Sequence, residues 1–370
     1  MKKIKTAIIG CGKVGHLHAK ALAEMDNAEL VAVYDSDIAR ADAYAENYSA
    51  VAFNSIEKMV KDAGVEVAVV CSPHPLHRDC SLPALNAGAH VIVEKPLAST
   101  LRDCDDIIET AKKNNLIVGT ISQRRFYRPC MRIRDAIDAG KLGKPVLGTV
   151  TMHGWRDENY YNSDPWRGSW KHEGGGVLVN QAPHQIDLLL WYMGEVDTVY
   201  GAWANLNHPY IEVEDTAIAV IRFKSGALGN IVVSNSQNPA LYGNVHVFGS
   251  NGAAAGVQTD GGAMFIAGMS SITEPPVNDM WTVPGEEGRP WNKEDSDFFL
   301  SIDFMNYYHE RQIEDFLRAV LNGTRPLITG QDGRKTVEIF TAIYRSNRDR
   351  APVKFPLVAE QASDTGVEHA

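Results

Sequence analysis

Residues 4–15 read Ile4-Lys5-Thr6-Ala7-Ile8-Ile9-Gly10-Cys11-Gly12-Lys13-Val14-Gly15, an apolar run followed by glycines in the spacing Gly-x-Gly-x-x-Gly. Apolar residues then recur at helical spacing, and a second apolar run ends at Asp35, about 20 residues beyond the last glycine. A strand, a glycine-rich turn, a helix and a strand that ends in an acidic residue form the context in which this motif binds a dinucleotide. The stretch therefore predicts that the chain begins as an open, doubly wound α/β sheet.

Each element of this motif has a predicted role. Gly10 permits a tight turn, Gly12 lets the backbone approach a pyrophosphate, and Gly15 lets helix and strand pack closely. The helix N-terminus offers N–H groups and a positive dipole end to the phosphates. Asp35 is expected to bind the adenosine ribose hydroxyls and to repel a 2′-phosphate, which favours NAD over NADP; a glycine turn without a ligand is the alternative. The predicted cofactor contacts here are Gly10, Gly12, Lys13, Val14, Gly15, Asp35 and Ser36.

Composition limits the class of protein. The chain has 370 residues, of which 44% are hydrophobic and 22% charged, as in ordinary globular proteins with two domains. The net charge of −10 argues against nucleic acid or an anionic membrane as the main partner. The sequence contains no run of about 18 apolar residues, so no membrane span is predicted. The five cysteines include no Cys-x-x-Cys, so we expect reduced thiols in a cytoplasmic protein and no metal site.

The periodicity changes along the chain and predicts three regions. Residues 1–122 alternate strands and helices, with strands near 4–9, 30–34, 65–71, 91–93 and 116–118, and are expected to form a Rossmann domain with a parallel sheet. Residues 123–358 are expected to form an α+β domain with a large, mostly antiparallel open sheet that includes 146–153, 196–206, 216–224, 227–237 and 244–249. Within it, residues 259–297 are predicted to be a long irregular loop. Two helices follow, and residues 359–370 are predicted to be a disordered tail.

Two further segments are expected at the cofactor edge of the parallel sheet. Ser72-Pro73-His74-Pro75-Leu76-His77 follows the fourth strand, and its prolines define a loop that we expect to cover the cofactor. Ser72, His74 and His77 are its candidate contacts, although His77 could instead cap the next helix or face solvent.

The tripeptide Glu94-Lys95-Pro96 follows an apolar strand and ends at the same edge. Lys95 there can bind a substrate hydroxyl and stabilise an alkoxide, and Glu94 is a further cofactor candidate. A simple ion pair between Lys95 and Glu94 is the alternative, but strand neighbours point to opposite faces.

A second informative run is Gly174-Gly175-Gly176-Val177-Leu178-Val179-Asn180-Gln181-Ala182-Pro183-His184-Gln185-Ile186-Asp187. Its three glycines have no side chains, so we interpret this run as a segment whose backbone passes close to a ligand. Pro183 suits the start of a helix, so the helix dipole would keep His184 neutral and able to accept a proton. Asp187, expected in the first turn, could hold a substrate hydroxyl or simply stabilise the helix N-terminus.

Aromatic and cationic residues before the glycine run are candidates for binding the cofactor or a sugar. Trp166 and Arg167 lie in Asp164-Pro165-Trp166-Arg167-Gly168, where a tryptophan face can stack on a ring and arginine can donate two bonds to vicinal hydroxyls. His153 and Trp155, at the end of the first strand of the second domain, are similar candidates. Loop packing explains these aromatic residues equally well.

Taken together, the chain resembles the glucose–fructose oxidoreductase / inositol dehydrogenase / MocA family. The matching residues are Gly10, Gly12, Gly15, His18, Glu94, Lys95, Pro96, Gln123, Gly174, Gly175, Gly176, His184, Asp187, Phe316 and Gly323-Thr324-Arg325-Pro326. The resemblance covers nearly the whole chain and implies that Lys95 and His184 form the catalytic pair, with Gln123 near the cofactor. Many members have aspartate four residues before the histidine; here Asn180 cannot act as a base but can hold a hydroxyl or orient His184.

The resemblance implies an NAD-dependent dehydrogenase that oxidises a secondary hydroxyl of an inositol or free sugar. The predicted substrate contacts are Lys95, His153, Trp155, Arg167, Asn180, His184 and Asp187. An anhydrosugar or nucleotide-linked amino-sugar dehydrogenase, a glycosidase with bound NAD as transient oxidant, and a non-catalytic NAD sensor are the alternatives. The expected partners are a small polyol or sugar and further copies of the chain in a dimer or tetramer, with neither nucleic acid nor membrane.

Overall fold

The computed structural model describes residues 3–241, 243–259, 274–289 and 291–359. The strands are β1 (Ile4–Ile9), β2 (Ala28–Tyr34), β3 (Val51–Phe53), β4 (Val67–Val70), β5 (His90–Val93), β6 (Val118–Thr120), β7 (Pro145–His153), β8 (Val196–Ala204), β9 (Thr216–Phe223), β10 (Leu228–Ser234), β11 (Gly243–Gly249), β12 (Ala254–Thr259) and β13 (Val353–Lys354). The described helices are α1 (Lys13–Glu24), α2 (Ile38–Tyr48), α3 (Ile56–Ala63), α4 (His77–Ala87), α5 (Leu101–Lys113), α6 (Arg128–Asp138), α7 (Glu158–Asn162), α8 (Val177–Asn180), α9 (Pro183–Met193), α10 (Trp291–Ser301), α11 (Phe304–Asn322) and α12 (Gly330–Asp349).

The first compact unit contains a six-stranded parallel sheet in the order β3-β2-β1-β4-β5-β6. This order is that of a doubly wound dinucleotide-binding sheet, so the predicted Rossmann fold is confirmed. The strands carry continuous apolar runs because helices cover both faces; all four residues of β4 are buried. Side-chain caps at Asp37, Ser55 and Thr100 start α2, α3 and α5.

Strand register aligns the carboxyl ends of the central strands. Ile9 pairs with Tyr34 on one side and with Val70 on the other, and Val70 pairs with Val93. The residues that follow these strands therefore leave the sheet along one edge. The strand order reverses between β1 and β4, and ligands of open α/β sheets bind at such a reversal.

Residues 303–337 also belong to the first unit. The expectation that the second domain runs without interruption over 123–358 therefore differs from the observed division, in which the units comprise 1–123 with 303–337 and 124–302 with 338–370. The reason is long-range packing: Gln312 on α11 accepts a hydrogen bond from the Ser122 amide and donates one to the Thr120 carbonyl. The Phe316 ring occupies the space that a side chain at Gly119 would need.

The second unit is built on a seven-stranded sheet in the order β12-β11-β7-β10-β9-β8-β13. All neighbours are antiparallel except β7 and β10, so the predicted mostly antiparallel sheet is confirmed. Glycine at Gly148 lets α9 lie directly on β7, because a side chain there would meet Leu189 and Met193.

The region predicted as an irregular loop over 259–297 is partly regular where the structure describes it. Val277 and Gln258 exchange backbone hydrogen bonds, and α10 starts at Trp291. The small residues of β12 and the polar residues of α10 carry no clear periodicity, which explains why neither was predicted. Residues 260–273 and 290, and the predicted tail from 360 onward, lie outside the described residues. Across the described helices, none combines the length and apolar character required to cross a bilayer.

Candidate active site

The glycine turn has the geometry that a dinucleotide requires. Gly10 adopts φ +104°, and a Cβ there would lie 2.7 Å from the Ser72 amide nitrogen. A Cβ at Gly15 would lie 2.3 Å from the Gly10 carbonyl oxygen, so this glycine permits close contact between α1 and the turn. At Gly12, by contrast, a Cβ would meet nothing within 4 Å, and no side chain caps the helix that starts at Lys13. The uncapped helix N-terminus and the open space beside it fit a pyrophosphate.

Asp35 is buried at the end of β2 and is tied to the glycine turn. Its Oδ2 accepts a hydrogen bond from the Cys11 amide at 2.9 Å, and its Oδ1 accepts one from the Asp37 amide at 2.9 Å. The guanidinium of Arg40, an exposed side chain, lies 3.5 Å from Oδ1, so this arginine forms an ion pair with Asp35. Ser36, the next predicted contact, is exposed beside the carboxylate.

The loop after β4 is held by a buried histidine. His77 Nδ1 lies 2.8 Å from the Pro96 carbonyl oxygen and Nε2 lies 2.8 Å from the Ser72 carbonyl oxygen. Both ring nitrogens are thus used within the fold, and burial lowers the pKa of His77. The structure assigns it a bridging role between two edge loops instead of a solvent-facing one. His74 is also buried, in ring contact with His77.

Lys95 immediately follows an anchored carboxylate. Glu94 Oε1 lies 2.7 Å from His18 Nε2, and Oε2 accepts a hydrogen bond from the Lys95 amide at 3.0 Å. Burial alone would raise the pKa of Glu94, but the His18 hydrogen bond and the nearby charges hold it well below its usual range. The Lys95–Pro96 peptide bond is cis. Gln123 begins a short 3-10 helix after β6 and is the last residue of this part of the first unit.

In the second unit, the glycine run passes close to protein atoms, which differs from its interpretation as a ligand-contacting backbone. A Cβ at Gly176 would lie 1.9 Å from the Glu214 carbonyl oxygen, and one at Gly175 would lie 2.4 Å from the Tyr344 hydroxyl. The Glu214 carboxylate accepts hydrogen bonds from the amides of Gly176 and Leu178 and from the Tyr344 hydroxyl. Complete burial nevertheless raises the pKa of Glu214 to about 7. The glycines therefore allow a buried carboxyl to approach the start of α8.

His184 and Asp187 both lie on α9, which starts at Pro183 as predicted. His184 is the second residue of the helix and is buried. Asp187 is the fifth residue, beyond the first turn, which corrects its predicted position. Arg125 donates two hydrogen bonds to its carboxylate, at 2.8 and 2.6 Å, and both side chains are almost completely buried. This ion pair is a stronger reason for an acidic residue here than the helix dipole is.

Tyr160 connects several predicted site residues. Its hydroxyl oxygen accepts hydrogen bonds from Arg167 at 2.6 Å, from Asn180 at 3.2 Å and from Gln181 at 3.1 Å. Burial raises the pKa of Tyr160, while the Arg167 charge opposes this shift. Asn180 also donates to the buried Glu173 carboxylate. Tyr160 and Glu173 were not predicted, because neither belongs to a spaced motif; their role becomes visible only through contacts with Asn180.

The remaining candidates are Trp166, Arg167, His153 and Trp155, and they differ in whether they contact the residues around Tyr160. The Arg167 guanidinium stacks over the Trp166 ring, 4.4 Å from its centroid. These two candidate residues, which are adjacent in sequence, are therefore also in side-chain contact. His153 ends β7, and its carbonyl accepts a hydrogen bond from the Leu241 amide. Trp155 pairs with Ser236 and contacts the His208 ring. Asn180, Arg167 and Trp166 are therefore brought together through Tyr160, whereas Trp155 belongs to a separate aromatic contact.

Comparison with known proteins gives two matches to family models. A model described as an oxidoreductase family with an NAD-binding Rossmann fold matches residues 4–121, and the C-terminal domain model of the same GFO/IDH/MocA family matches residues 130–255.

Similar individual proteins span nearly the whole chain. A myo-inositol 2-dehydrogenase of Thermotoga maritima is 30% identical over 95% of this chain and 98% of its own length. A scyllo-inositol 2-dehydrogenase (NAD(+)) of Bacillus subtilis is 26% identical over 95% of this chain and 96% of its own. The crystal structure of the WlbA dehydrogenase from Bordetella pertussis, in complex with NADH and UDP-GlcNAcA, superposes with a TM-score of 0.85 at 27% identity, over 96% of this chain and 99% of that one.

Proposed function

Because the chain belongs to the GFO/IDH/MocA family of oxidoreductases with an NAD-binding Rossmann fold, we propose that it oxidises a secondary hydroxyl of a cyclitol or free sugar to the ketone. NAD is the cofactor, as the sequence predicted. The observation that carries the proposal is the single sheet edge at which the uncapped glycine turn, the buried Asp35 carboxylate and the Glu94-Lys95 pair all emerge. Cofactor-binding and chemically active side chains thus leave the same edge.

The position of residues at this sheet edge indicates which of them would bind the cofactor. The α1 N-terminus would hold the pyrophosphate, and Asp35 would hold the adenosine ribose. When bound, NAD⁺ supplies the hydride acceptor for the carbon that carries the substrate hydroxyl. Ser72, His74 and Gln123 are proposed to line the cofactor site. His77 is proposed to hold the loops around it in place through its hydrogen bonds to the Ser72 and Pro96 carbonyls.

The proton of the substrate hydroxyl is proposed to move to His184. Its position as the second residue of α9 places it at the positive end of the helix dipole, which disfavours imidazolium and keeps the ring able to accept a proton. The Lys95 ammonium is proposed to donate a hydrogen bond to the same oxygen and stabilise its developing negative charge.

Adjacent substrate hydroxyls are proposed to be held by Asn180 and Arg167, which share contact with Tyr160. His153 and Trp155 remain proposed substrate contacts. Asp187 is proposed to act mainly by anchoring α9 through Arg125.

Substitution of the catalytic pair tests these roles. Lys95→Ala is expected to lower kcat on the order of a hundredfold to a thousandfold, because one preorganised donor to the reacting oxygen is lost. His184→Ala is expected to lower it on the order of a hundredfold or more. Binding of NADH, followed by its fluorescence, should be retained in both. Lys293→Ala, at an exposed position of α10, is the control. Turnover that survives Lys95→Ala would remove lysine from the mechanism.

Substrate identity is tested with a panel of inositols, hexoses, anhydrosugars and UDP-GlcNAcA, each with NAD⁺ and NADP⁺. The similarity to an enzyme crystallised with UDP-GlcNAcA makes a nucleotide-linked amino sugar the second candidate. NADH formation with a free cyclitol or sugar supports the main proposal. Turnover restricted to UDP-GlcNAcA supports the second candidate.

The open sheet of the second unit supports a homo-oligomer, proposed to be a tetramer. Tyr200 on β8 pairs with Val220 on β9, and all three of Tyr200, Ile218 and Val220 are exposed. Inward neighbours such as Ala219 and Ile221 are buried, so the exposed residues form an apolar outer face. Val220→Lys is expected to dissociate the oligomer, as measured by light scattering after size-exclusion chromatography. A monomeric wild-type chain would refute this proposal.

A cytoplasmic location is also proposed. It is supported by dependence on NAD and by the state of the five cysteines, none of which forms a disulfide. Fractionation of cells that produce the protein at its natural level tests it.

A further inference from the structure

Two buried histidines lie behind the Glu94-Lys95 pair, outside the catalytic roles assigned above. His18 on α1 is fully buried, and its Nε2 lies 2.7 Å from Glu94 Oε1. His309 on α11 packs edge-on against the His18 ring, with ring centroids 5.2 Å apart. The three side chains come from α1, the end of β5 and α11, which are distant in sequence but lie within one unit.

The hydrogen bonds define what each ring does. His309 Nδ1 donates to the Met305 carbonyl at 2.6 Å, and burial together with the His18 charge lowers the pKa of His309 to about 4. This ring is therefore neutral at pH 7. His18 Nδ1 is buried and has no hydrogen-bond partner among the described residues, so the proton that matters is the one on Nε2. His18 consequently donates to Glu94, and His309 fixes the plane of the donor.

The Glu94 carboxylate connects His18 to the backbone of Lys95. Its second oxygen accepts the Lys95 amide at 3.0 Å, so one carboxylate links the buried histidine to the backbone of the lysine. On the other side, His77 holds the Pro96 carbonyl at 2.8 Å. The Lys95 backbone is thus restrained both before and after the residue.

A metal ion is a poor explanation of the cluster. The three side chains could each offer one ligand atom, and these atoms lie within 4.8 Å of one another. However, 2.7 Å between His18 Nε2 and Glu94 Oε1 is a hydrogen-bond distance. Two ligands about 2 Å from one tetrahedral zinc ion lie farther apart, at roughly 3.3 Å.

We propose that His18, supported by His309, is a positioning residue for Lys95: it orients the Glu94 carboxylate, which in turn holds the lysine backbone. This inference rests on the proposed role of Lys95 in the dehydrogenase reaction. The groups that face Glu94 are His18, His309, Lys95, Cys71 and His77. Only His18 donates a side-chain hydrogen bond to its carboxylate among the described contacts.

The test compares His18→Leu, which removes the donor, with His18→Gln, whose amide can reach the Nε2 position. We expect His18→Leu to lower kcat on the order of tenfold to a hundredfold, since a displaced reacting group loses its alignment, with an NADH dissociation constant within about threefold of wild type. His18→Gln should restore most of kcat. The control is His246→Leu, which removes a His–carboxylate bond of the same 2.7 Å length to Asp279 in the second unit.

The pH profile adds a readout that a merely structural role would not change. In the wild type, Glu94 stays ionised throughout the working range because its pKa is depressed. Without the His18 donor, burial raises that pKa, so kcat of His18→Leu should fall toward the acidic end of the working range, where kcat of the wild type does not fall for this reason.

Thermal unfolding separates this inference from the proposed function. An ionised Glu94 that has lost its donor destabilises His18→Leu most at high pH, so the Tm difference from wild type should shrink as pH falls from 8 to about 5. If the wild type turns over no substrate, the proposed function fails, whereas a pH-dependent Tm difference would still show that His18 stabilises the ionised Glu94 carboxylate.

Three results would overturn the inference: an unchanged, flat kcat profile in His18→Leu, a parallel loss of NADH binding that His18→Gln does not rescue, or one equivalent of tightly bound metal in the purified protein.

Discussion

Removing the Asp187 carboxylate should reveal that its main task is structural. Arg125 donates two hydrogen bonds to it, at 2.8 and 2.6 Å, and the two side chains are 4% and 6% exposed. Asp187→Ala leaves the guanidinium buried beside an empty position. Breaking a buried ion pair by removing one partner costs about 3–5 kcal/mol, so the free energy of unfolding should fall by about that amount.

The double variant gives the sharper test. In Arg125→Met/Asp187→Leu both charges are replaced by apolar side chains of similar size, and such replacements are often neutral or stabilising. Each single variant should therefore be less stable than the double variant, with a coupling energy of about 3 kcal/mol or more. Asp138→Ala is a matched control, because the Asp138 side chain is 65% exposed and such an i,i+4 pair with Arg134 is worth about 0.5 kcal/mol or less.

Urea unfolding measures these differences, followed by tryptophan fluorescence because the Arg125 guanidinium lies 5.2 Å from the centre of the Trp191 ring. Steady-state kinetics on the same variants completes the experiment. The reasoning is refuted if Asp187→Ala changes the free energy of unfolding by less than about 1 kcal/mol while KM for the substrate rises tenfold or more. That outcome would return Asp187 to the substrate-binding role that the sequence predicted.

Three further predictions concern the glycine run, the buried carboxyl beneath it and the cofactor edge. Gly176→Ala should lower the free energy of unfolding by about 3 kcal/mol or more in urea titrations, because the new Cβ would lie 1.9 Å from a backbone oxygen that cannot move aside. The Glu214 carboxyl has a folded pKa of about 7, above its unfolded value, so it contributes stability at low pH that is lost as pH rises through 7. Glu214→Gln should therefore gain up to about 3 kcal/mol relative to wild type between pH 5 and pH 8, and parallel unfolding curves at the two pH values would contradict this. Asp35→Ser removes the charge that repels a 2′-phosphate and leaves Arg40, previously 3.5 Å from that carboxylate, so the NADP⁺-to-NAD⁺ ratio of kcat/KM should rise about tenfold or more. Asp35→Ser/Arg40→Ala should reverse this gain, and a ratio that does not respond to Arg40 would show that the arginine does not contact the phosphate.

Local spacing was sufficient to predict the start of the parallel sheet and its cofactor edge. The run from Ile4 to Gly15 and the later Asp35 lie within one βαβ unit, where neighbours in sequence are neighbours in space. The same locality allowed Glu94-Lys95 to be assigned to the cofactor edge, because parallel strands end together. The start of α9 at Pro183 was predicted for a similar reason, since proline is favoured in a first helical turn.

The prediction was weaker wherever a residue's partner lies far away along the chain. Asp187 was interpreted through the helix dipole because Arg125, 62 positions earlier, carries no motif that links it to α9. The glycines at 175 and 176 were interpreted through a ligand because nothing local indicates the approach of Glu214 and Tyr344. Tyr160 was missed because its three donors converge only in the folded second unit.

The sequence by itself thus determined the class of fold, the cofactor and the family, since these depend on periodicity and on short motifs whose residues act together. Only the tertiary structure decided which charges are buried in pairs, which glycines make room for other protein atoms, and that residues 303–337 belong to the first unit. The physical reason is that hydrogen bonds and close packing act over a few ångströms, and chain segments separated by tens or hundreds of residues come within that range only after folding.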